Sequence, residues 1–513
     1  MEAKNADREQ VLHLLEEEGG VTGETVRKVS KATGVPEADV WGTGLFYTLL
    51  RGEPGQIRAC QGLTCKMAGS DQLMVDLRAE GKDCIGVSCL GQCDRAPVFL
   101  DAELELASPD RNRGVSPSHE DQAIDLAAED DQSYAGLAKA RELGSEAVIE
   151  QVDTSGLQGR GGAGFPAGFK WKSVFGQADT ERYLVCNADE GEPGTFKDRE
   201  IMKRRPHRLI EGMAIAAATV SASKAYIYIR GEFMHEIRTL KKAIAEAEPH
   251  LDGLEFEIIT GHGAYICGEE TALLEAMEGK RGMPRLKPPF PTEQGFRSKP
   301  TLMHNVETLA CLPALLTKGA EWFKSRGRTE AGPKIYCLSG HVKVPGVYEL
   351  PLGVSLNELV EHAGGYEGTP LAFSPGGASA GFLPMDQADL ALDFKSLAGV
   401  GSMLGSAGVV VLNDTVDLAD AAAWQAQFFE DESCGQCAPC RIGTRYLRQA
   451  LDRYRDSGEA SDLVHVKDVA WEMEEGSICG LGIAAPLPLT SAIQHFPEHF
   501  AARRAGGSTE SPS

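Results

Sequence analysis

The chain has 513 residues, 42% hydrophobic and 25% charged, the balance of a soluble globular protein and too long for one ordinary core. Fifty-one basic against 75 acidic residues leave a formal charge of −24, which excludes nucleic acid and anionic membrane surfaces as expected partners. No apolar run approaches the roughly 20 residues that cross a bilayer and the start carries no apolar signal core, so a cytoplasmic protein of three or four domains is expected.

Residues 8–18 place Val11, Leu12, Leu14 and Leu15 on one helical face, and Pro36 opens a helix carrying Val40, Leu45 and Leu49. Gln56 to Ala59 and Ala96 to Leu100 read as short strands, each beside a cysteine pair. These pairs, Cys60-x4-Cys65 and Cys89-x3-Cys93, supply four thiolates on loops at strand ends, and their spacing alone suits a [2Fe–2S] rhomb or structural zinc. Cys84 would break the symmetry of the spacing and is read as a bystander. Residues 1–105 are therefore expected to form one small domain. An acidic linker follows at 106–131, because residues 101–131 hold ten Asp or Glu, two Arg and two Pro.

Residues 132–333 alternate glycine-rich turns with strand-like runs such as Tyr183-Leu-Val-Cys186 and Ala225-Tyr-Ile-Tyr-Ile229, and with helical stretches at 207–220 and 234–247, a pattern that predicts an α/β domain. The run Gly159-Arg-Gly-Gly-Ala-Gly-Phe-Pro166 is either a flexible turn or a phosphate cradle whose amides approach closely where a Cβ would clash, with Arg160 and Lys170 as cationic donors. Asn187, Asp189, Glu190 and Glu192 crowd three carboxylates beside a strand end, as a solvated loop or as acceptors for sugar hydroxyls and a flavin edge. Gly268-Glu269-Glu270 opens a helix, where carboxylates compensate the helix dipole or repel the extra 2′-phosphate of NADPH.

Residues 334–412 read as a small α+β module and 413–500 as a helical bundle, followed by a disordered tail at 501–513. Cys434-x2-Cys437-x2-Cys440 presents three thiolates within seven residues and Cys479 returns a fourth, which favours a [4Fe–4S] cubane over zinc. Of the 13 cysteines, Cys84, Cys186, Cys267, Cys311 and Cys337 remain and are expected to be small buried side chains.

Taken in order, these motifs resemble the NADH-binding flavoprotein subunit of respiratory complex I, fused behind a thioredoxin-like [2Fe–2S] domain. The matching runs are Gly156-Leu-Gln-Gly-Arg-Gly-Gly-Ala-Gly-Phe-Pro166, Cys186-Asn-Ala-Asp-Glu-Gly-Glu-Pro193, Ala264-Tyr-Ile-Cys-Gly-Glu-Glu270, Lys287-Pro-Pro-Phe-Pro291, Asn305-Val-Glu-Thr308 and Ser433-Cys-Gly-Gln-Cys-Ala-Pro-Cys-Arg441. The resemblance implies a multidomain α/β and α+β fold: a thioredoxin-like ferredoxin domain, a central FMN- and NADH-binding domain, a small ubiquitin-like or soluble-ligand-binding-like domain, and the bundle. It also implies that FMN is held by Gly159, Arg160, Gly161, Gly162, Lys170, Asn187, Asp189, Glu190, Asn305 and Thr308. NADH would be received by Phe165, Glu192, Gly268, Glu269, Glu270, Lys287 and Phe290, with no side chain acting as acid or nucleophile. Cys60, Cys65, Cys89 and Cys93 would hold the [2Fe–2S] cluster, and Cys434, Cys437, Cys440 and Cys479 the [4Fe–4S] cluster. Where family members usually carry a first asparagine before Asn305, this chain has His304, whose bulk and charge are expected to alter flavin geometry or potential.

The fused architecture resembles the β subunits of soluble NAD-dependent formate dehydrogenases and NAD-reducing hydrogenases. The expected partner is an iron–sulfur-containing catalytic subunit, a molybdenum formate dehydrogenase α subunit being preferred, with a small [2Fe–2S] subunit as a further candidate. The alternatives are a complex I or hydrogenase subunit and, in another class, a non-enzymatic scaffold with His304 as its only support.

Overall fold

Four strands, Tyr183–Ala188, Lys224–Ile229, Glu255–Thr260 and Thr301–Asn305, run parallel in the central sheet of the computed structural model, which describes residues 7–51 and 55–501. Parallel strands covered on both faces need near-continuous apolar runs, and Tyr-Leu-Val-Cys and Ala-Tyr-Ile-Tyr-Ile supply them. Tyr183–Ala188 lies between Lys224–Ile229 and Thr301–Asn305. The chain thus leaves it toward one side and later returns on the other, and the carboxyl ends of Tyr183–Ala188 and Thr301–Asn305 flank a topological switch point, where α/β sheets open a crevice. Across that seam Asn187 pairs with Asn305 and Cys186 with His304.

Helix Pro206–Val220 backs this sheet. Its proline occupies the first turn, where no amide is needed, and its apolar residues are buried on nearly every side between the strands and helices Ala135–Leu143 and Val306–Ala310.

The N-terminal segment divides in two. Strands Cys84–Val87, Ile57–Cys60, Phe99–Leu100 and Leu106–Ala107 form a separate four-stranded sheet in that order. The preceding helices, Gln10–Glu17, Gly23–Thr33 and Glu37–Gly44, instead share one buried cluster with helix Glu270–Met277, joining Val11, Leu15, Val26 and Val40 to Leu273 and Met277. Backbone bonds seal the contact: Thr48 and Leu49 donate to the carbonyls of Gly263 and His262 at 2.9 Å each. Pro36 lies one residue before its helix, and Leu45 and Leu49 fall beyond its end.

The expected acidic linker is corrected in part. Gly114–Val115 adds a parallel edge strand beside Gly346–Pro351, and Ala123, Ile124 and Leu126 are buried. The cause is Glu349, a buried carboxylate that accepts from the amides of Ala123, Ile124 and Asp125 at 2.6, 2.9 and 2.8 Å. Asp130 likewise accepts from the amide of His207 at 2.8 Å, in the first turn of helix Pro206–Val220. Asp130, read as solvated, is here used as a backbone acceptor.

Strands Pro333–Gly340, Gly346–Pro351, Pro370–Ser374, Leu383–Pro384 and Gly408–Asn413 build the second α+β module around its own apolar cluster. The C-terminal helices Leu418–Glu432, Ala438–Ser457, Val466–Gly476 and Leu487–His495 pack against one another. Among the described residues no helix is long and apolar enough to cross a membrane. All five surplus cysteines are buried, as expected; the tail beyond 501 lies outside the described residues.

Candidate functional site

The glycine-rich run closes on itself, Gly159 N donating to Phe165 O at 2.8 Å, and packs against the carboxyl end of Thr301–Asn305. A Cβ on Gly161 would sit 3.1 Å from Asn305 Cβ, and one on Gly164, whose φ is +62°, would fall 2.8 Å from the Phe394 ring. Glycine is required at the second position both by backbone conformation and by space.

Arg160 is held by both backbone and side chain. Its guanidinium is fully buried and donates to Ala331 O at 2.8 Å, while its amide donates to Thr308 Oγ1 at 2.8 Å. One guanidinium nitrogen thus pins the glycine-rich loop to the segment before Pro333–Gly340, while Nε and Nη1 are buried with no partner among the described residues; Lys170, beside the loop, is paired with Glu270. Glu190 is also turned inward: its carboxylate accepts from the amides of Asp198 and Arg199 at 2.8 and 3.0 Å, capping helix Lys197–Arg204. Burial and the nearby Asp198 push its pKa up to about 8. Asn305 caps helix Val306–Ala310 through Oδ1 and donates to Asp198 Oδ2 at 2.5 Å.

The groups left facing the crevice are fewer than the motif count. Asn187 donates to Gly268 O at 2.8 Å, which holds the two loops together. Asp189 Oδ2 is buried without a partner among the described residues, and burial pushes its carboxyl well up. Such an acceptor, beside a glycine-rich loop, fits a ligand carrying both donors and phosphate, as a flavin mononucleotide does. Glu192 is tied to the hydroxyl of Tyr265 and accepts from Ser379 N at 2.8 Å, and burial raises it.

At the rim, Phe165, Phe169, Leu286 and Phe290 are exposed, with Phe165 and Phe169 edge to face at 5.5 Å between centroids. Large apolar side chains left in water beside a crevice mark a binding surface for a flat ring. Phe169 and Leu286 were not singled out from the sequence, although their neighbours Lys170 and Lys287 were; their burial state is the signal, and no pattern carries it. Glu269 caps helix Glu270–Met277, its Oε2 accepting from Thr271 N and Ala272 N at 2.9 Å. Lys287 lies 3.0 Å from Glu269 and 3.3 Å from Glu270, and Lys170 lies 2.8 Å from Glu270. Burial alone would raise Glu270, but Lys170 and then Lys287 overcome it and hold the group lowered. The expected negative wall is thus two carboxylates balanced by two lysines.

His304 is buried and accepts from Trp171 Nε1 through its Nε2 at 2.8 Å. Burial, with Lys170 nearby, depresses its pKa to about 3, so the ring is neutral. The expectation that its charge acts on the flavin is corrected: what it brings is bulk and an Nδ1 hydrogen.

The N-terminal thiols converge. Cys60 ends strand Ile57–Cys60, Cys65 lies in helix Leu63–Met67, and the Cys89 and Cys93 sulfurs are 3.6 Å apart. A Cβ on Gly62 would lie 3.5 Å from Cys89 Sγ and 3.6 Å from Cys60 Sγ, so that glycine makes room for them. Cys84 bonds instead to Met74 O and belongs to another cluster. Hydrogen bonding to Cys60, together with burial, pushes Cys89 up to about 12. Cys60 and Cys93 are raised as well, and buried thiols of this kind ionise when a cationic centre joins them, which is the chemistry of an iron–sulfur or metal site. In the bundle, Cys434 follows helix Leu418–Glu432, Cys437 and Cys440 flank the start of Ala438–Ser457, and Cys479 precedes Gly480–Ala484. Among the described residues no group of three or more His, Cys, Asp or Glu closes tightly enough around one point for a single metal ion.

Comparison with known proteins bears on each part. Residues 152–314 match the Nuo51 FMN-binding domain, 420–503 the NADH-ubiquinone oxidoreductase-F iron–sulfur binding region, 335–383 the SLBB domain, and 2–103 the thioredoxin-like [2Fe–2S] ferredoxin. The F-type subunit of NADH-quinone oxidoreductase that is numbered 2 in Rhizobium meliloti (strain 1021) is 48% identical over 389 residues, 72% of this chain and 91% of that protein. The F-type subunit of NADH-quinone oxidoreductase from Rickettsia felis is 43% identical over 74% of this chain and 93% of its own. A chain of an NAD+-reducing [NiFe]-hydrogenase, solved in the air-oxidized state, superposes with a TM-score of 0.89 at 31% identity, covering 98% of this chain and 94% of that one.

Proposed function

Because this chain belongs to the family of F-type NADH-quinone oxidoreductase subunits, with its FMN-binding domain, [4Fe–4S] region and a thioredoxin-like [2Fe–2S] domain in one polypeptide, we propose that it is the diaphorase subunit of a soluble NAD-linked dehydrogenase. It is an NADH oxidoreductase flavoprotein subunit of a multisubunit enzyme. FMN would rest on the glycine-rich loop, Lys170, Asn187 and Asp189, with NADH between the rim aromatics and the Glu269–Lys287 group. Flavin supplies the conversion between a hydride pair and the single electrons that iron–sulfur clusters carry. The chain's own residues orient the two rings and exclude water.

The observation that carries the reading is Tyr265: its hydroxyl meets Glu192 of the acidic loop while its amide donates to Glu432 Oε2 at 2.8 Å, two residues before Cys434. One residue thereby joins the crevice to the [4Fe–4S] helix. The preferred partner is a molybdenum formate dehydrogenase subunit acting in the cytoplasm, as the fused architecture favours. The hydrogenase likeness over 98% of the chain supports the second reading, a nickel–iron partner. Isolation of the native complex with metal analysis decides: molybdenum with NAD-dependent formate oxidation supports the first, nickel with hydrogen oxidation the second. A complex containing neither, with quinone as acceptor, would overturn both.

A further inference from the structure

Two arginines of the FMN-binding module grip the loop that carries Cys89 and Cys93. Arg199 donates to Gly91 O at 3.0 Å and meets Asp94 at 2.9 Å. Arg230, just beyond strand Lys224–Ile229, donates through Nη1 to Glu190 O at 2.7 Å and through Nη2 to Cys89 O at 2.8 Å. Its charge is faced by Glu232 Oε1 at 2.9 Å, and its guanidinium lies 5.3 Å from the Phe233 ring centre. Gly91, at φ +66°, lets the loop close over this pair, since a Cβ there would fall 2.9 Å from Phe233 Cζ and 3.4 Å from Arg230 Nη1. One buried cation is therefore shared between the backbone of the acidic loop and the backbone of a cluster-ligand candidate.

We propose that Arg230 is a positioning residue that sets the reduction potential of the N-terminal cluster, with Glu232 offsetting it. Reduction adds one negative charge to a cluster, and a buried guanidinium on a ligand's carbonyl, only 7% exposed to solvent, favours that charged state. Glu232 opposes it. Two substitutions at neighbouring positions should therefore move one potential in opposite directions, which loss of packing does not do. The inference rests on reading Cys60, Cys65, Cys89 and Cys93 as the [2Fe–2S] ligands.

The test is a redox titration of the [2Fe–2S] paramagnetic signal in the full chain for wild type, R230Q, E232Q and R238Q. Arg238 is an exposed control on the same module, paired with Glu105. R230Q should make reduction at least tenfold less favourable, a fall of about 59 mV for a one-electron couple, E232Q should raise the midpoint, and R238Q should leave it unmoved. Unmoved midpoints in both R230Q and E232Q, or shifts of the same sign, overturn the proposal. If R230Q fails to hold the cluster, E232Q decides alone: a rise supports Arg230 and no rise overturns it. A wild-type chain with no [2Fe–2S] signal after anaerobic iron loading overturns the ligand reading itself, and the proposal with it.

Discussion

His304 shows what a single buried ring does. Its folded pKa of about 3 lies below the ordinary histidine value, so the folded state stays neutral where the unfolded chain takes up a proton. The stability tied to this group is present above the unfolded pKa of about 6.5 and is lost as pH falls from there toward 3. Between about pH 7.5 and 5.5 the wild type should lose about 1.4 kcal/mol relative to His304→Asn. Denaturant midpoints of both proteins across that range check it, and parallel curves would show that the ring is charged or exposed. At the same scale, Glu190 carries the lesson of orientation: its residue type suits a cofactor, and both its carboxylate oxygens accept from backbone amides.

At the scale of elements, helix Glu270–Met277 is proposed to bear the discrimination between NADH and NADPH. Its cap Glu269 and first residue Glu270 are balanced by Lys170 and Lys287, so removing one carboxylate leaves the group net positive and better suited to a 2′-phosphate. Glu270→Gln should lower the NADH-to-NADPH ratio of kcat/KM about tenfold, equivalent to about 1.4 kcal/mol; steady-state dye reduction with each cofactor measures it, and an unchanged ratio removes Glu270 from that role. The start of helix Ala438–Ser457 is proposed to bear the onward transfer. Cys437→Ser should leave NADH-to-dye turnover largely intact, because small dyes oxidise flavin directly, and should stop transfer to the native partner. Native-rate transfer by that variant would remove the cluster from the route.

For the whole molecule, the N-terminal module is held by buried charge as well as by apolar contact. Arg199 satisfies Asp94 from one module and Glu200 from the other, all three nearly fully buried. Arg199→Gln would take the nearest cation from Asp94, leaving it Arg113 and Arg95 at 3.6 and 3.8 Å, while Glu200 keeps Arg204 at 2.7 Å, at a cost of about 1–3 kcal/mol. Unfolding of the variant should begin at lower denaturant, with loss of the N-terminal iron–sulfur absorbance first. A midpoint equal to wild type would show that the modules hold together without the pair. The same use of buried carboxylates accounts for the segment 114–126, whose acidic composition resembles a linker but whose amides find Glu349.

Spacing alone picked out the two cysteine quartets as candidates, the glycine-rich loop and the capped helix at Glu269, because each depends on near neighbours in the chain: reach between ligands, backbone freedom, first-turn amides. The central α/β alternation was equally legible, since strand and helix periods are local. Only the tertiary structure decided which motif residues face the crevice. Arg160 turns to Ala331, Glu190 to helix Lys197–Arg204, and His304 to Trp171, each through packing that no pattern encodes. It decided also that the N-terminal helices cover Glu270–Met277 and that Arg199 and Arg230 clasp the Cys89 loop. The physical reason is common to all of these: a buried polar group must find a partner, and which partner lies within reach is settled by packing between distant segments.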